Sequence, residues 1–251
     1  RRLNQPDPWK MLSLLSPLLY DPVKAVRIEA AQRLTILPTR MITGDLRVKF
    51  MGVLAEYQKA AEHTGDFAAS RHNLGNMYAN LGQTEQAVTH YRKAIEIDDL
   101  FYPAKVNLAG LYNRMGRNSD AEVLLRAVVE QHPDLPQIKY SLALLLAEEK
   151  KYEEAEVYLK AAVSGMPQHA RARYNLGLLQ QQLGRDSLAE TSLMGAVKIE
   201  PDNIDYLYAL ADFYLKRGRW KHAQEIAQEM IERHPNQKIG YDIADFVRRQ
   251  K

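Results

Sequence analysis

The side chains with the strongest claim to chemistry in this 251-residue chain are its seven histidines, its paired acids and its fourteen tyrosines. It contains no cysteine. That excludes disulfides, thiolate metal sites, a cysteine nucleophile and covalent c-type haem attachment within these residues. No two histidines stand in an H-x3-H spacing, and His132 and His234 each precede a proline. His169 falls in a predicted turn, and His63, His90 and His222 fall on helix surfaces expected to face solvent. The pairs Glu148–Glu149 and Glu153–Glu154 flank a predicted hairpin turn and read as solvated charge. A Gly-rich phosphate loop, a Ser-His-Asp order and a nucleophile elbow are all missing. The expectation is a non-enzyme with no metal and no cofactor in this segment. What does recur is hydrogen-bonding capacity at a fixed interval. His72, Tyr140, Tyr174 and Tyr208 lie at multiples of 34 residues from one another, with Val106 filling the gap in the series. Asn73, Asn107 and Asn175 directly follow three of its members. Tyrosine gives large contact area at low entropy cost, and an asparagine amide offers a donor and an acceptor to an extended backbone.

The elements that would carry these side chains repeat at the same interval. Numbering each repeat 1 to 34 from Ala68, Tyr102, Pro136, Ala170 and Ile204, position 7 is Leu74, Leu108, Leu142, Leu176 and Leu210. Position 8 is always Gly or Ala, and position 20 is always Ala (Ala87, Ala121, Ala155, Ala189, Ala223). Apolar residues at positions 7, 11, 24 and 27 form the inward stripe of two helices. Small residues at 8 and 20 let the two helix axes approach. Gly82, Gly116, Gly184 and Gly218 at position 15 suit the left-handed turn that ends a first helix, and the third repeat has Lys150 there. Proline at position 32 in four repeats stops the second helix, while the first has Asp99.

This pattern resembles the tetratricopeptide repeat, whose period is about 34 residues. It covers residues 68–237, with repeats 68–101, 102–135, 136–169, 170–203 and 204–237, in phase throughout. The family's position-4 tryptophan is replaced by Arg71, Lys105, Lys139, Arg173 and Leu207. The resemblance implies an all-α fold, a right-handed superhelical solenoid of helix-turn-helix repeats whose first helices line a concave groove. The positions that face such a groove hold His72, Asn73, Asn76, Asn107, Arg114, Tyr140, Leu144, Arg171, Tyr174, Asn175, Leu178, Tyr208 and Asp212. A protein or peptide partner is expected there. The competing reading of the Tyr and Asn ladder is packing between neighbouring repeats, and both stand at this point. Some members of the family grip a terminal carboxylate with a Lys and Asn clamp. Here His72, Asn76 and Asn107 match part of it, but Gln137 and Ser141 replace its cations, so a chaperone-tail reader is not expected.

Residues 1–44 read as a helical pair and linker. Leu12, Leu15, Leu18 and Leu19 suggest one short apolar helix broken at Asp21–Pro22, and Val23 to Leu34 a second, closed by Pro38. The pattern from Pro17 to Leu37 resembles a HEAT-type repeat. Residues 45–67 read as a capping helix with Tyr57 and Ala60 in repeat register. Residues 238–251 read as an amphipathic C-terminal cap ending in Arg248, Arg249 and Lys251, where basic side chains suit a helix C-terminus.

The order of these elements, with phrases such as DPVKAVRIEAAQRL, AEYQKAAEHTGDF and YALADFYLKRGRW, resembles the C-terminal region of bacterial multihaem c-type cytochromes. That resemblance implies a periplasmic docking region with haem carried upstream of Arg1. The alternative is a cytosolic or membrane-associated assembly scaffold unrelated to electron transfer. Self-association through the solenoid ends is a third expectation. The charge balance of 34 Lys and Arg to 31 Asp and Glu lacks a dense basic stripe, which argues against nucleic acid. No apolar run approaches the roughly 18 residues of a membrane span. A start at Arg1 without methionine or signal peptide suggests a processed segment.

Overall fold

The 34-residue period of the sequence becomes a period of helices in the computed structural model, which describes residues 7–250. Residues 1–6 of the N-terminal segment, and Lys251 of the expected C-terminal cap, lie outside the described residues. Among those described, all regular structure is helical: fourteen α-helices and two short 3-10 turns. The N-terminal segment forms α1 (Pro8–Leu15), a 3-10 turn (Pro17–Tyr20), α2 (Lys24–Leu34), a second 3-10 turn (Thr39–Met41) and α3 (Gly44–Glu62). The five repeats follow as α4 (Ala68–Asn80) with α5 (Thr84–Ile97), α6 (Tyr102–Arg114) with α7 (Asn118–Gln131), and α8 (Pro136–Glu148) with α9 (Tyr152–Gly165). The last two are α10 (Ala170–Gln182) with α11 (Asp186–Ile199) and α12 (Ile204–Lys216) with α13 (Trp220–Arg233); α14 (Lys238–Arg248) closes the chain. The chain forms two compact bodies, residues 1–124 and 125–251, divided within α7.

One expectation at the N-terminus is corrected. Leu12 and Leu15 lie on α1, but Leu18 and Leu19 lie on the separate 3-10 turn. Pro17 has no amide hydrogen to continue the α ladder, so the chain tightens there instead. Leu19 is nonetheless buried, in a core it shares with Leu34, Phe50, Leu54 and Leu74.

Within each repeat the small positions behave as their size requires. A Cβ built on Gly75 would stand 2.5 Å from the Tyr91 ring, and one on Gly177 would stand 2.7 Å from Leu193. Ala87, Ala121, Ala155, Ala189 and Ala223 at position 20 are all 0% exposed. The hairpin turn is the same five times over: the position-16 amide of Gln83, Arg117, Lys151, Arg185 and Arg219 donates to the position-11 carbonyl at 2.8–3.0 Å. That six-to-one bond needs a left-handed residue at position 15. Gly82, Gly116, Gly184 and Gly218 supply it at φ 66–75°, and Lys150 is forced into it at φ 62°.

At three of the five positions that lack the tryptophan, a cation makes a different bond. At position 4, Arg71 Nε donates to the Gly65 carbonyl at 2.9 Å and Arg173 Nε to the Pro167 carbonyl at 3.2 Å. Lys105, buried, pairs with the Asp99 carboxylate at 2.8 Å. Each of these three cations reaches position 32 of the preceding repeat's register, so it ties the start of one repeat to the turn that ends the one before. Leu207 takes the apolar course and is fully buried.

Position 11 forms a second joint. The Tyr78 hydroxyl accepts from Gln58 at 2.8 Å, the Tyr112 hydroxyl accepts from Arg92 at 2.9 Å, and the Tyr214 hydroxyl donates to Glu190 at 2.9 Å. In the fourth repeat Gln180 stands there instead. Its amide donates to Glu156 at 3.1 Å and its carbonyl oxygen accepts from Ser192 at 2.8 Å. Glu156 is 2% exposed and is further held by Lys160 and Arg185. A buried carboxylate persists only with partners of this kind.

Candidate functional site

The first helices carry the residues that the sequence singles out, and the two bodies use them differently. In the N-terminal body the set closes on itself. Asn107 on α6 donates through one amide nitrogen to His72 Nε2 at 2.9 Å and to Asn76 Oδ1 at 2.7 Å, both on α4. The Tyr91 hydroxyl donates to the same Asn76 oxygen at 2.8 Å. The His72 ring lies 5.9 Å from Tyr91 and 5.4 Å from Phe101. Burial holds the His72 imidazole below the ordinary histidine range and pushes the Tyr91 hydroxyl up. These groups stitch α4 to α6. Asn73 and Arg114 stay exposed.

The C-terminal body repeats the stitch and adds an open surface. Asn175 on α10 donates to the Tyr140 hydroxyl on α8 at 2.8 Å, position 6 of one repeat to position 5 of the one before, as Asn107 does to His72. The Tyr140 ring lies 5.3 Å from His169, and Tyr174 lies 4.9 Å from Tyr206. Burial raises the hydroxyl pKa of Tyr140, Tyr174 and Tyr206 alike. Arg171, in the first turn of α10, is exposed and acts electrostatically on all three hydroxyls. Beside them Leu144 is 38% exposed, Leu178 37% and Tyr208 45%. Asp212 is half-buried and paired with Lys216 at 2.7 Å.

Three contributors escaped the sequence reading. Tyr206 sits at position 3, outside the positions expected to face a groove, yet its ring packs at a tilt against Tyr174. Tyr91 lies on a second helix. His169 caps α10, accepting from the Ala172 amide at Nδ1 at 3.0 Å. A further expectation is corrected: His90 does not simply face solvent. It stacks on Tyr78 with ring centroids 5.1 Å apart and is half-buried, and burial, Arg71 and Lys93 lower its pKa. Among the described residues no three His, Asp or Glu side chains are grouped to hold a metal ion, and no helix is long and apolar enough to cross a membrane.

Sequence models described as tetratricopeptide repeat match residues 56–89, 78–145, 146–198 and 207–238. No curated protein matches the chain at a significant level. Among solved structures, the chain is similar to YrrB, described as "a TPR protein with an unusual peptide-binding site". The identity is 20%, the TM-score 0.63, and the match covers 74% of this chain and 96% of that one. It is also similar to MamA from Desulfovibrio magneticus RS-1, at 21% identity and TM-score 0.63, over 68% of this chain and 96% of that one. The pilF protein of Pseudomonas aeruginosa matches at 22% identity and TM-score 0.58, over 73% of this chain and 89% of that one.

Proposed function

The chain belongs to the tetratricopeptide repeat family, and on that premise we propose that it is a non-catalytic scaffold that captures a segment of a partner protein on the first-helix face of its C-terminal body. The observation that carries this reading is the exposure of Leu144, Leu178 and Tyr208 on α8, α10 and α12. Their neighbours at position 7 (Leu142, Leu176, Leu210) are at most 5% exposed. Apolar side chains held open on a rigid helix face gain by being covered, and tyrosine-rich surfaces suit peptide contact. The fold shared with YrrB, which has a peptide-binding site, supports the same reading.

The test is affinity purification from the native source with the triple variant Leu144→Ser, Leu178→Ser, Tyr208→Ser. A control variant replaces Val157, Leu188 and Met194, exposed on the second helices α9 and α11, by Ser. Loss of the partner from the first variant and its retention by the control is the expected result. Equal behaviour of the two would overturn the reading.

The resemblance to the C-terminal region of multihaem cytochromes supports a narrower version, in which the partner is a redox protein of the periplasm. A visible spectrum of the full-length native protein tests it. A Soret band that survives acid–acetone extraction supports covalent haem outside these residues, and a colourless protein removes the electron-transfer role while leaving the scaffold.

A further inference from the structure

The joint between α4 and α6 is a short chain of polar groups along which donor and acceptor alternate. Both hydrogens of Asn107 Nδ2 are spent, one on His72 Nε2 at 2.9 Å and one on Asn76 Oδ1 at 2.7 Å. Asn76 Oδ1 accepts a second hydrogen from the Tyr91 hydroxyl at 2.8 Å. The neutral imidazole can accept at Nε2 only when its one hydrogen sits on Nδ1. An asparagine amide turned by half a turn exchanges its nitrogen for its oxygen, a donor for an acceptor, in nearly the same place. The same heavy-atom positions therefore admit a second pattern with every role exchanged. In it His72 Nε2–H donates to Asn107 Oδ1, and Asn76 Nδ2 donates to Asn107 Oδ1 and to the Tyr91 oxygen. That pattern needs one more proton than the first, and the imidazole is the group that takes it. Asn76 also lines a cavity of about 290 Å³ between α2 and α4, beside Gln32, Asn73 and Asn80. Its Nδ2 has no hydrogen-bond partner among the described residues.

We propose that protonation of His72 turns the Asn107 and Asn76 amides together, so that Asn76 offers the α2–α4 cavity an acceptor where the neutral chain offers a donor. The joint is fully bonded in both states, so the proton changes what the cavity wall can bind without parting the helices. The surroundings leave the ring free to act this way. Tyr91 of α5 and the Phe101 ring lie against it. The charged and titratable groups of the helices around it are engaged elsewhere: His90 with Tyr78, Arg92 with Tyr112, Lys105 with Asp99, Glu56 with Arg27, and Arg71 with the Gly65 carbonyl. Lys59 and Glu62 of α3, Lys93 and Glu96 of α5 and Arg114 of α6 are exposed, and across the cavity Glu29 pairs with Arg33. Burial disfavours the charged ring, with the Asn73 side chain opposing it, and this sets the reversal below pH 6.5.

The test is long-range proton–nitrogen NMR of the imidazoles together with the side-chain amide spectra of Asn76 and Asn107, on the 251-residue chain as pH is lowered from neutrality. The neutral His72 ring is expected to carry its hydrogen on Nδ1. Both amides should then shift with the midpoint of His72, while Asn175, whose partner is the Tyr140 hydroxyl, stays still over the same range. Asn107→Asp places a permanent acceptor beside Nε2. It should raise the His72 pKa by about 1–3 units, as an opposite charge does, and give Asn76 at neutral pH the amide shifts that the unaltered chain shows in acid. A neutral ring with its hydrogen on Nε2 would overturn the proposal. So would an Asn76 amide that stays still while His72 titrates, or a joint that comes apart at the His72 midpoint. These three outcomes are read on the unaltered chain, so they decide the matter even if Asn107→Asp does not fold.

Discussion

Lys150 is the residue whose identity and backbone disagree most openly. Its φ of 62° is the conformation that four glycines adopt at the same position. A side chain there costs about 1 kcal/mol, because Cβ crowds the following carbonyl. Lys150→Gly is therefore expected to raise stability by up to about 1 kcal/mol, read as a higher urea midpoint with an unchanged slope. Gly75 shows the opposite constraint. Alanine is the better helix former by about 1 kcal/mol, yet its methyl would press on Tyr91. Gly75→Ala is expected to destabilise by about 1–2 kcal/mol net through overpacking. Adding Tyr91→Leu should recover most of the loss, since Ala109 with Leu125 and Ala143 with Leu159 already occupy these positions in the next two repeats. His72 and His90 are held neutral by burial, their pKa values below the ordinary 6.5. A depressed histidine stabilises the fold above its unfolded pKa, and that contribution fades as pH falls through the lower folded value. Both rings should titrate below 6.5 by NMR, and His72→Asn should lessen the acid loss of stability.

Between elements, the chain relies on side-chain joints that cross from one repeat to the next. Tyr214 is the most strongly perturbed of these. Burial and its bond to Glu190 push its hydroxyl pKa up to about 12. Because the folded value lies above the unfolded one of about 10, the neutral hydroxyl's contribution is intact below pH 10 and disappears as pH rises through 12. Stability should fall between those values, and Tyr214→Phe should be less stable at neutral pH with a shallower alkaline decline. The Gln180, Glu156 and Ser192 cluster does the same work one repeat earlier. Gln180→Leu would strip the buried Glu156 of one partner and is expected to cost about 1–3 kcal/mol. The two joints have different chemistry at one sequence position, so position 11 requires a contact with the preceding second helix rather than one residue type.

At the scale of the whole molecule, each body has its own core, and the C-terminal one depends on α14. Ile243, Ala244 and Val247 are at most 5% exposed and share a core with Ala227 and Met230 of α13. A stack of repeats leaves its last hairpin with a bare apolar face, which a cap must cover. Ile243→Ala is expected to destabilise that body by about 2–4 kcal/mol. The melting curve would then show the loss in the C-terminal body, and binding of an apolar dye would rise.

The helices were almost wholly legible from residues alone. Leucine, the small positions, the turn glycine and the closing proline act through local geometry, and local geometry repeats wherever the residues do. The site was legible only in outline. Spacing placed His72, Tyr140, Tyr174 and Arg171 on one kind of helix, and that was correct as register. Whether each side chain is spent on a neighbour or left for a partner depends on residues about 34 positions away. His72 is closed off by Asn107, while Leu178 on α10 is left exposed. Tyr206 could not have been found, since its position is a core one in the repeat and its role arises from the tilted ring contact with Tyr174 across two helices. A chain's period is written in one dimension, but hydrogen-bond saturation is decided by whatever tertiary packing brings within about 3 Å.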